Sequence, residues 1–344
     1  MAVKLFQPYI SEESRSLVQE VLSGTTISSG PMVKQFEKEL EETLNLKNVT
    51  TVNSGTSALE LAYEIAGLVK RDEVIVPVLT CTATNIPLAR RGVKVVFADI
   101  ETDLNVSVLD VAKKITHKTR AIVFVHFGGN NRGLKEILAL AKKRNILVIE
   151  DAAQALGSTY WGKADMTCVS FGAIKTITTG DGGMIVCKRK KDADKARRLR
   201  WYGYDREKKL RKGDCDLTEA GFKMNMNEIA AAIGIGNLHD LPGLLDHRRM
   251  IGEIYKSYGM FAHVWLAGGF TKHYTALKSA LGMIGYEIGQ HHYRNDQYTI
   301  FGGRKLFPNM GHLEKKYFFA PLHHGVTEED AHTIGTIYER FQKA

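Results

Sequence analysis

Four apolar runs, separated by helix-like stretches, constrain this chain more than any other feature. They are Glu73-Val74-Ile75-Val76-Pro77, residues 94–99, residues 120–126 and residues 146–149. Each is rich in Val or Ile, and none alternates apolar with polar as a half-exposed strand would. Continuous runs of this kind are strands buried on both faces, the pattern of a parallel sheet. Val33, Phe36, Leu40 and Leu44 fall on one helical face, as do Ala58, Leu61, Ala62, Ile65 and Leu68. A further helix is expected over 134–144, and shorter strands over 166–170 and 183–187. Strands alternating with helices predict an α/β fold with a mainly parallel sheet between helical layers. In such sheets ligands gather beyond the carboxyl ends of the strands. Asp151 follows the run 146–149 and so lies where a ligand would be.

A helix is expected over 227–240, then a break at Pro242-Gly243 and another helix over 245–258. This divides the chain into a large domain, 1–241, and a smaller C-terminal α+β domain, 242–344. The second is expected to close with a helix from Glu328. Thr327 would cap it, with Asp330 three residues on and Ala331, Ile334, Tyr338 and Phe341 as its buried stripe.

At 44% hydrophobic and 25% charged, the 344 residues are those of a soluble globular protein. No apolar run approaches the ~20 residues of a membrane span. The first residues lack the apolar core of a secretory signal, and the four cysteines form no C-x-x-C pair. A reducing, cytoplasmic setting is expected. The net charge of +9 includes clusters at 188–191, at Arg197, Arg198 and Arg200, and at 208–212. These read either as a solvated surface or as attraction for an anionic substrate such as a nucleotide-linked sugar. No nucleic-acid module accompanies them, so no nucleic-acid partner is expected. The pairs His291-His292 and His323-His324 lack supporting carboxylate or cysteine spacing, and no metal is expected.

Three segments carry the chemistry. Asn53-Ser54-Gly55-Thr56-Ser57 opens a helix whose free N–H groups attract an anion, although alone it is an ordinary N-cap. Asp151 is either a helix N-cap or a functional carboxylate, with Gln154 on the same helical face. Lys175 alone would be a snorkelling lysine, but Ser170 precedes it and Thr179-Gly180-Asp181-Gly182-Gly183 follows. Together these are the parts that hold pyridoxal 5′-phosphate as a Schiff base: an amine, an acid for the ring nitrogen and a phosphate cradle.

The same segments closely resemble the DegT/DnrJ/EryC1/StrS group of sugar aminotransferases, which have the fold type I architecture of aspartate aminotransferase. The resemblance runs from Ser28-Ser29-Gly30-Pro31 through the three segments to Ala231-Ala232-Ile233-Gly234, and ends near Pro321-Leu322-His323. It implies that Lys175 and Asp151 are catalytic. It also implies that Gly55, Thr56, Ser57 and Ser170 hold the phosphate, and that Gln154 meets the ring oxygen. Cys81 stands where the family often stacks an aromatic residue on the ring. Lys223 stands where an asparagine commonly reaches across the dimer. Substrate contacts are implied at Ser29, Asn225, His292, Arg294 and His323. A homodimer with shared sites follows from the same resemblance. The implied activity moves an amino group from L-glutamate to a nucleotide-linked keto sugar, for surface polysaccharide or glycoconjugate synthesis. Lys175 argues against the family's dehydrating branch, which carries histidine there. A nucleotide-free keto or aldehydo sugar acid is an alternative acceptor, and a non-catalytic regulatory protein that binds the cofactor is an alternative of another class.

Overall fold

The computed structural model describes residues 2–213 and 215–343, with the side chains of Glu207 and Leu210 left aside. Seven strands build the main sheet. They are β1 (Val49–Val52), β2 (Glu73–Pro77), β3 (Lys94–Ala98), β4 (Thr119–Val125), β5 (Leu147–Asp151), β6 (Met166–Ser170) and β7 (Gly183–Cys187). Their order is β1-β7-β6-β5-β4-β2-β3. The strands from β6 to β3 run parallel, whereas β7 is antiparallel to both β6 and β1. The expected α/β sheet is therefore observed, with two antiparallel pairings at one end.

Helices cover both faces, which explains why the central strands are continuous in apolar residues. One face packs against α3 (Gly55–Ile65), which contributes Ala58, Leu59, Leu61 and Ala62. Helix α1 (Glu12–Ser23) and helix α2 (Pro31–Thr43) lie on the helix Glu228–His239. That helix is apolar on almost every side and is buried accordingly. A Cβ at its Gly234 would stand 2.4 Å from Cζ of Phe36, so only glycine lets α2 approach this closely. Glu228 anchors the contact by accepting the N–H groups of Gly30, Met32 and Val33 at the start of α2.

The C-terminal part carries a three-stranded antiparallel sheet in the order β10-β9-β8, built from β8 (Phe261–Ala262), β9 (Ala267–Phe270) and β10 (Tyr317–Ala320). The helices Leu241–Ser257, Tyr274–Met283 and Glu328–Lys343 pack beside it. The break before Leu241–Ser257 comes earlier than Pro242-Gly243 suggests. Only Asp240 separates this helix from Glu228–His239, and Pro242 sits in its first turn, where its missing N–H costs nothing. The Thr327 hydroxyl caps Glu328–Lys343 by accepting the N–H of Asp330, and the Thr327 N–H donates in return to the Asp330 carboxylate. Among the described residues, no helix is long and apolar enough to cross a membrane, and no disulfide joins the four cysteines.

Candidate active site

Strand register places the site. β5 ends on Asp151, which pairs with Cys168 of β6; β6 ends on Ser170, which pairs with Gly183 of β7. Their carboxyl ends thus bring Asp151 and Ser170 to one edge. The start of α3 lies against the same edge, because a Cβ on Gly55 would stand only 2.7 Å from Cβ of Ser170. Ser54 caps α3 by accepting the N–H of Ser57. The Ser57 hydroxyl donates to Asn53, so it is spent on the cap. Thr56 is exposed, and the Ser170 hydroxyl accepts the N–H of Gly172 and keeps its own proton to donate, so these groups and the first N–H groups of α3 could hold an anion.

Asp151 is buried. Its Oδ2 accepts the hydroxyl of Thr84 at 2.7 Å, and its Oδ1 accepts the N–H of Ala153 at 3.2 Å. Thr84 lies on α4 (Thr82–Arg90), whose N-cap is Cys81. Each carboxylate oxygen keeps a lone pair for a further donor. The expectation that Asp151 and Gln154 share a helix face is not met. Residues 152–157 form turns, and Gln154 is carried away from Asp151. Its Oε1 accepts the N–H of Gly128 at 2.6 Å, while its Nε2 lies 2.8 Å from Nε2 of His292.

Lys175 sits in a tight loop between β6 and β7, pinned by bonds from Phe171 to Gly182, from Thr179 to Phe171 and from Lys175 to Gly172. Its Nζ lies over the Trp265 ring, 4.2 Å from the centre. Burial pushes the amine down to about 8, against the opposing charges of Asp151 and Cys81. A lysine in this state has a substantial neutral fraction near physiological pH. Trp265, 1% exposed, donates its indole N–H to the carbonyl of Ile174 and stacks on Phe6. His291 packs on both rings.

The other expected residues divide. His292 is buried beside the site at Gln154, and burial holds its imidazole well below the usual range. Lys223 and Asn225 bond each other, with Lys223 exposed. The Ser29 carbonyl accepts from Arg206. Arg294 is locked by Asp296, Glu314 and the carbonyl of Lys305. His323 spends one ring nitrogen on the Lys4 carbonyl and the other on the N–H of Gly325. Arg294 and His323 therefore have their polar groups committed inside the chain. Thr84, Trp265 and His291 were not foreseen. Only Thr84 had a local signal, four residues after Thr80 at the start of a helix.

The family profile described as "DegT/DnrJ/EryC1/StrS aminotransferase family" matches residues 8–263. The chain belongs to the DegT/DnrJ/EryC1/StrS aminotransferase family. It is similar to the GDP-perosamine synthase of Escherichia coli O157:H7, 36% identical over 261 residues, covering 74% of this chain and 70% of that protein. The GDP-perosamine synthase of Vibrio cholerae is 32% identical over 330 residues, 93% of this chain and 86% of that one. The crystal structure of a sugar aminotransferase from Micromonospora echinospora superposes with a TM-score of 0.92 at 28% identity, covering 98% of this chain and 99% of that one. The fold is thus that of the sugar aminotransferases, and the chain is a transaminase of that family.

Family membership implies dependence on pyridoxal phosphate, and the residues fit that group. Lys175 offers a buried amine with a neutral fraction. Asp151 has spare acceptor capacity. Only glycine at position 55 lets the N-terminus of α3 lie this close to Ser170, so the first N–H groups of α3 and the Ser170 hydroxyl could serve one phosphate.

Proposed function

We propose that this protein moves an amino group from L-glutamate to a keto sugar linked to a nucleotide. The observation that carries the reading is Lys175, its amine over Trp265 and pushed down to about 8 by burial, beside the sheet edge that also presents Asp151 and the start of α3. The names of its relatives support the nucleotide. They include GDP-perosamine synthases and a UDP-linked altrosamine transaminase from Campylobacter jejuni, 37% identical over 257 residues.

When bound, pyridoxal phosphate supplies an electron sink for the charge that develops at the substrate carbon. The chain does the rest. Gly55, Thr56 and Ser170 would hold the phosphate. Asp151, fixed by Thr84, would accept a hydrogen bond from the protonated ring nitrogen and keep that nitrogen charged. The Lys175 amine would take the proton from the amino-acid Cα and deliver it to the cofactor carbon on the far side of the nitrogen. Trp265 and Phe6 exclude water from that transfer. We place these cofactor residues in the large unit 1–241, with 242–344 as the small unit. We further propose a homodimer with shared sites, in which the exposed Lys223 would meet the cofactor of the partner subunit.

The test uses 15N-glutamate with a panel of nucleotide-linked keto sugars and nucleotide-free sugar acids. Label should appear in one nucleotide-linked amino sugar, with 2-oxoglutarate formed in equal amount. Transfer only to a nucleotide-free acid, or no transfer at all, would overturn the proposal.

A further inference from the structure

The main sheet has two ends, and the site occupies only one of them. Asp151 and Ser170 finish β5 and β6. The C-terminal part meets the sheet at that same end, where Leu79 bridges Arg294 and the Gly128 carbonyl accepts the N–H of Trp265. The opposite end is where β1 to β6 begin and β7 finishes. Backbone bonds tie it into one rim. The N–H groups of Lys188, Lys94 and Glu73 donate to the carbonyls of Asp165, Asp72 and Lys118, and that of Cys187 donates to Asn48. The register sets Ala121 beside Leu147, which follows the last turn of the helix Leu134–Arg144. Seven strands at about 4.8 Å spacing make the rim about 29 Å long, and a strand of about 16 Å separates it from the site.

The positive charge of the chain is collected on this rim. Its segments 47–48, 70–73, 90–94, 118–120, 142–145, 164–165 and 188–192 hold fifteen Lys and Arg against four Asp and Glu. Their excess of eleven is larger than the +9 of the whole chain, so everything else carries a net charge of −2. Six of the fifteen cations are in ion pairs, with Glu60, Glu64, Asp72, Glu73, Asp192 and Asp194. Among the described residues the other nine have no ion pair, and every one is exposed. Helix ends do not account for them. A helix C-terminus presents about half a negative charge, yet Leu134–Arg144 meets it with Lys142, Lys143 and Arg144. Lys188 and Lys191 lie at the start of the helix Lys190–Leu199, where the dipole disfavours a cation.

These free cations are spread along the rim, and none of its segments contains Phe, Tyr or Trp. A single-stranded nucleic acid is held by aromatic stacking in a basic groove, which this rim lacks. A second copy of the chain presenting the same rim would be repelled. The rim also lies at the far end from Lys175, so it offers the acceptor no binding group at the site. A flat anionic surface fits this arrangement.

We propose that this rim docks the protein onto a lipid surface carrying anionic headgroups, with the site turned away from the bilayer. Such a surface attracts basic side chains within a Debye length, about 10 Å at 0.1 M salt. The contact is ionic and reversible, and it is independent of which acceptor the enzyme uses.

The test floats the full-length, cofactor-loaded protein with vesicles of phosphatidylcholine alone, or of phosphatidylcholine and phosphatidylglycerol at about 2:1. The protein should bind only the anionic vesicles, and about 0.5 M salt should release it. Lys142→Ala/Lys143→Ala/Arg144→Ala should weaken binding by about a hundredfold, at roughly fivefold per cation. Lys188→Ala/Lys191→Ala, on a different element, should weaken it by about twentyfold. Lys272→Ala/Lys278→Ala/Lys315→Ala removes three exposed cations from the C-terminal part and should change binding by less than about twofold. Exchange of labelled nitrogen between glutamate and 2-oxoglutarate should be equal in all four proteins. Absence of binding to the anionic vesicles overturns the proposal. So does equal weakening by the C-terminal variant, which would show a response to net charge and not to this rim. Displacement from the vesicles by a DNA duplex at equal phosphate concentration would assign the rim to nucleic acid and overturn it too.

Discussion

The Lys175 nitrogen stands 4.2 Å from the centre of the Trp265 ring, although 90 positions separate the two in sequence. The contact joins the loop after β6 to the segment between β8 and β9. It puts the one amine of the site against an indole face instead of water. An ammonium is attracted to that face, but its lost hydration dominates, and the amine titrates near 8.

The pH dependence follows with a definite sign. Below about 8 the lysine is protonated in both folded and unfolded chains, and the cost of burying its charge is fully present. Between about 8 and the ordinary lysine value of 10.5 the unfolded chain holds the extra proton, so the stability of the cofactor-free protein rises with pH. Lys175→Met should remove that slope. At pH 7 it should stabilise the cofactor-free protein by on the order of 1–3 kcal/mol, the lower end reflecting partial access of solvent. Denaturant titrations at pH 7 and pH 9 check this. The same variant should retain no cofactor after borohydride reduction. Cofactor capture by the wild type should accelerate up to about pH 8 and then level off.

Asp151→Asn separates charge from shape. The amide can still meet Thr84 and Ala153, but it cannot hold a charged ring nitrogen. Turnover should fall by at least about a hundredfold while most of the cofactor stays bound. Thr84→Val frees the carboxylate without neutralising it and should cost only a few-fold. Steady-state kcat measured beside a cofactor titration decides. Near-normal turnover in Asp151→Asn would remove the residue from the mechanism.

What the sequence made legible was local. The strands at 73–77, 166–170 and 183–187 and the helix at 134–144 match their observed bounds, because each is a dense apolar or amphipathic run with a clear stop. β1 escaped notice: Val49–Val52 is four residues long, and its partner β7 lies over 130 positions away. Asp151, Ser170 and Lys175 stood out because strand-end acids and glycine-rich turns have local signatures. Trp265 and His291 had none, since their roles come from distant chain segments folding together. Gln154 misled for a related reason. A helix was assumed after Asp151, but the backbone turns instead, and Gly128 and His292 claim the amide.

The pair His126–Glu150 lies fully buried beneath the site. Burial opposes the Glu150 charge. The His126 hydrogen bond at 2.7 Å and the N–H groups of Gly162, Lys163 and Ala164 more than offset it, and the carboxyl stays below its usual range. Glu150→Gln would turn an NH2 toward donors and take away the carboxylate oxygen that meets His126. It should lose about 3–5 kcal/mol in urea unfolding at pH 7. The lowered carboxyl contributes stability above the ordinary carboxylate range and loses it as the pH falls through the folded value, so the gap to wild type should narrow in acid. A gap that stays constant down to pH 3 would show that the carboxylate charge is not what stabilises this layer.

Gly55→Ala tests whether the anion cradle depends on the closeness of α3 to β6. The new Cβ would stand 2.7 Å from Cβ of Ser170 and 3.1 Å from its Cα, so the strand backbone blocks it and α3 must move outward. The N–H groups of α3 and the Ser170 hydroxyl then no longer converge on one phosphate. Overpacking of this kind costs about 1–3 kcal/mol of stability. If the cradle holds the cofactor, affinity should fall further than that global loss explains, by about tenfold or more in equilibrium dialysis. Thr56→Val is the control, since it deletes one exposed hydroxyl without a clash. It should weaken the cofactor by a few-fold and leave urea unfolding unchanged. A Gly55→Ala protein that is destabilised but binds cofactor normally would place the phosphate elsewhere, because helix position and binding would then be independent.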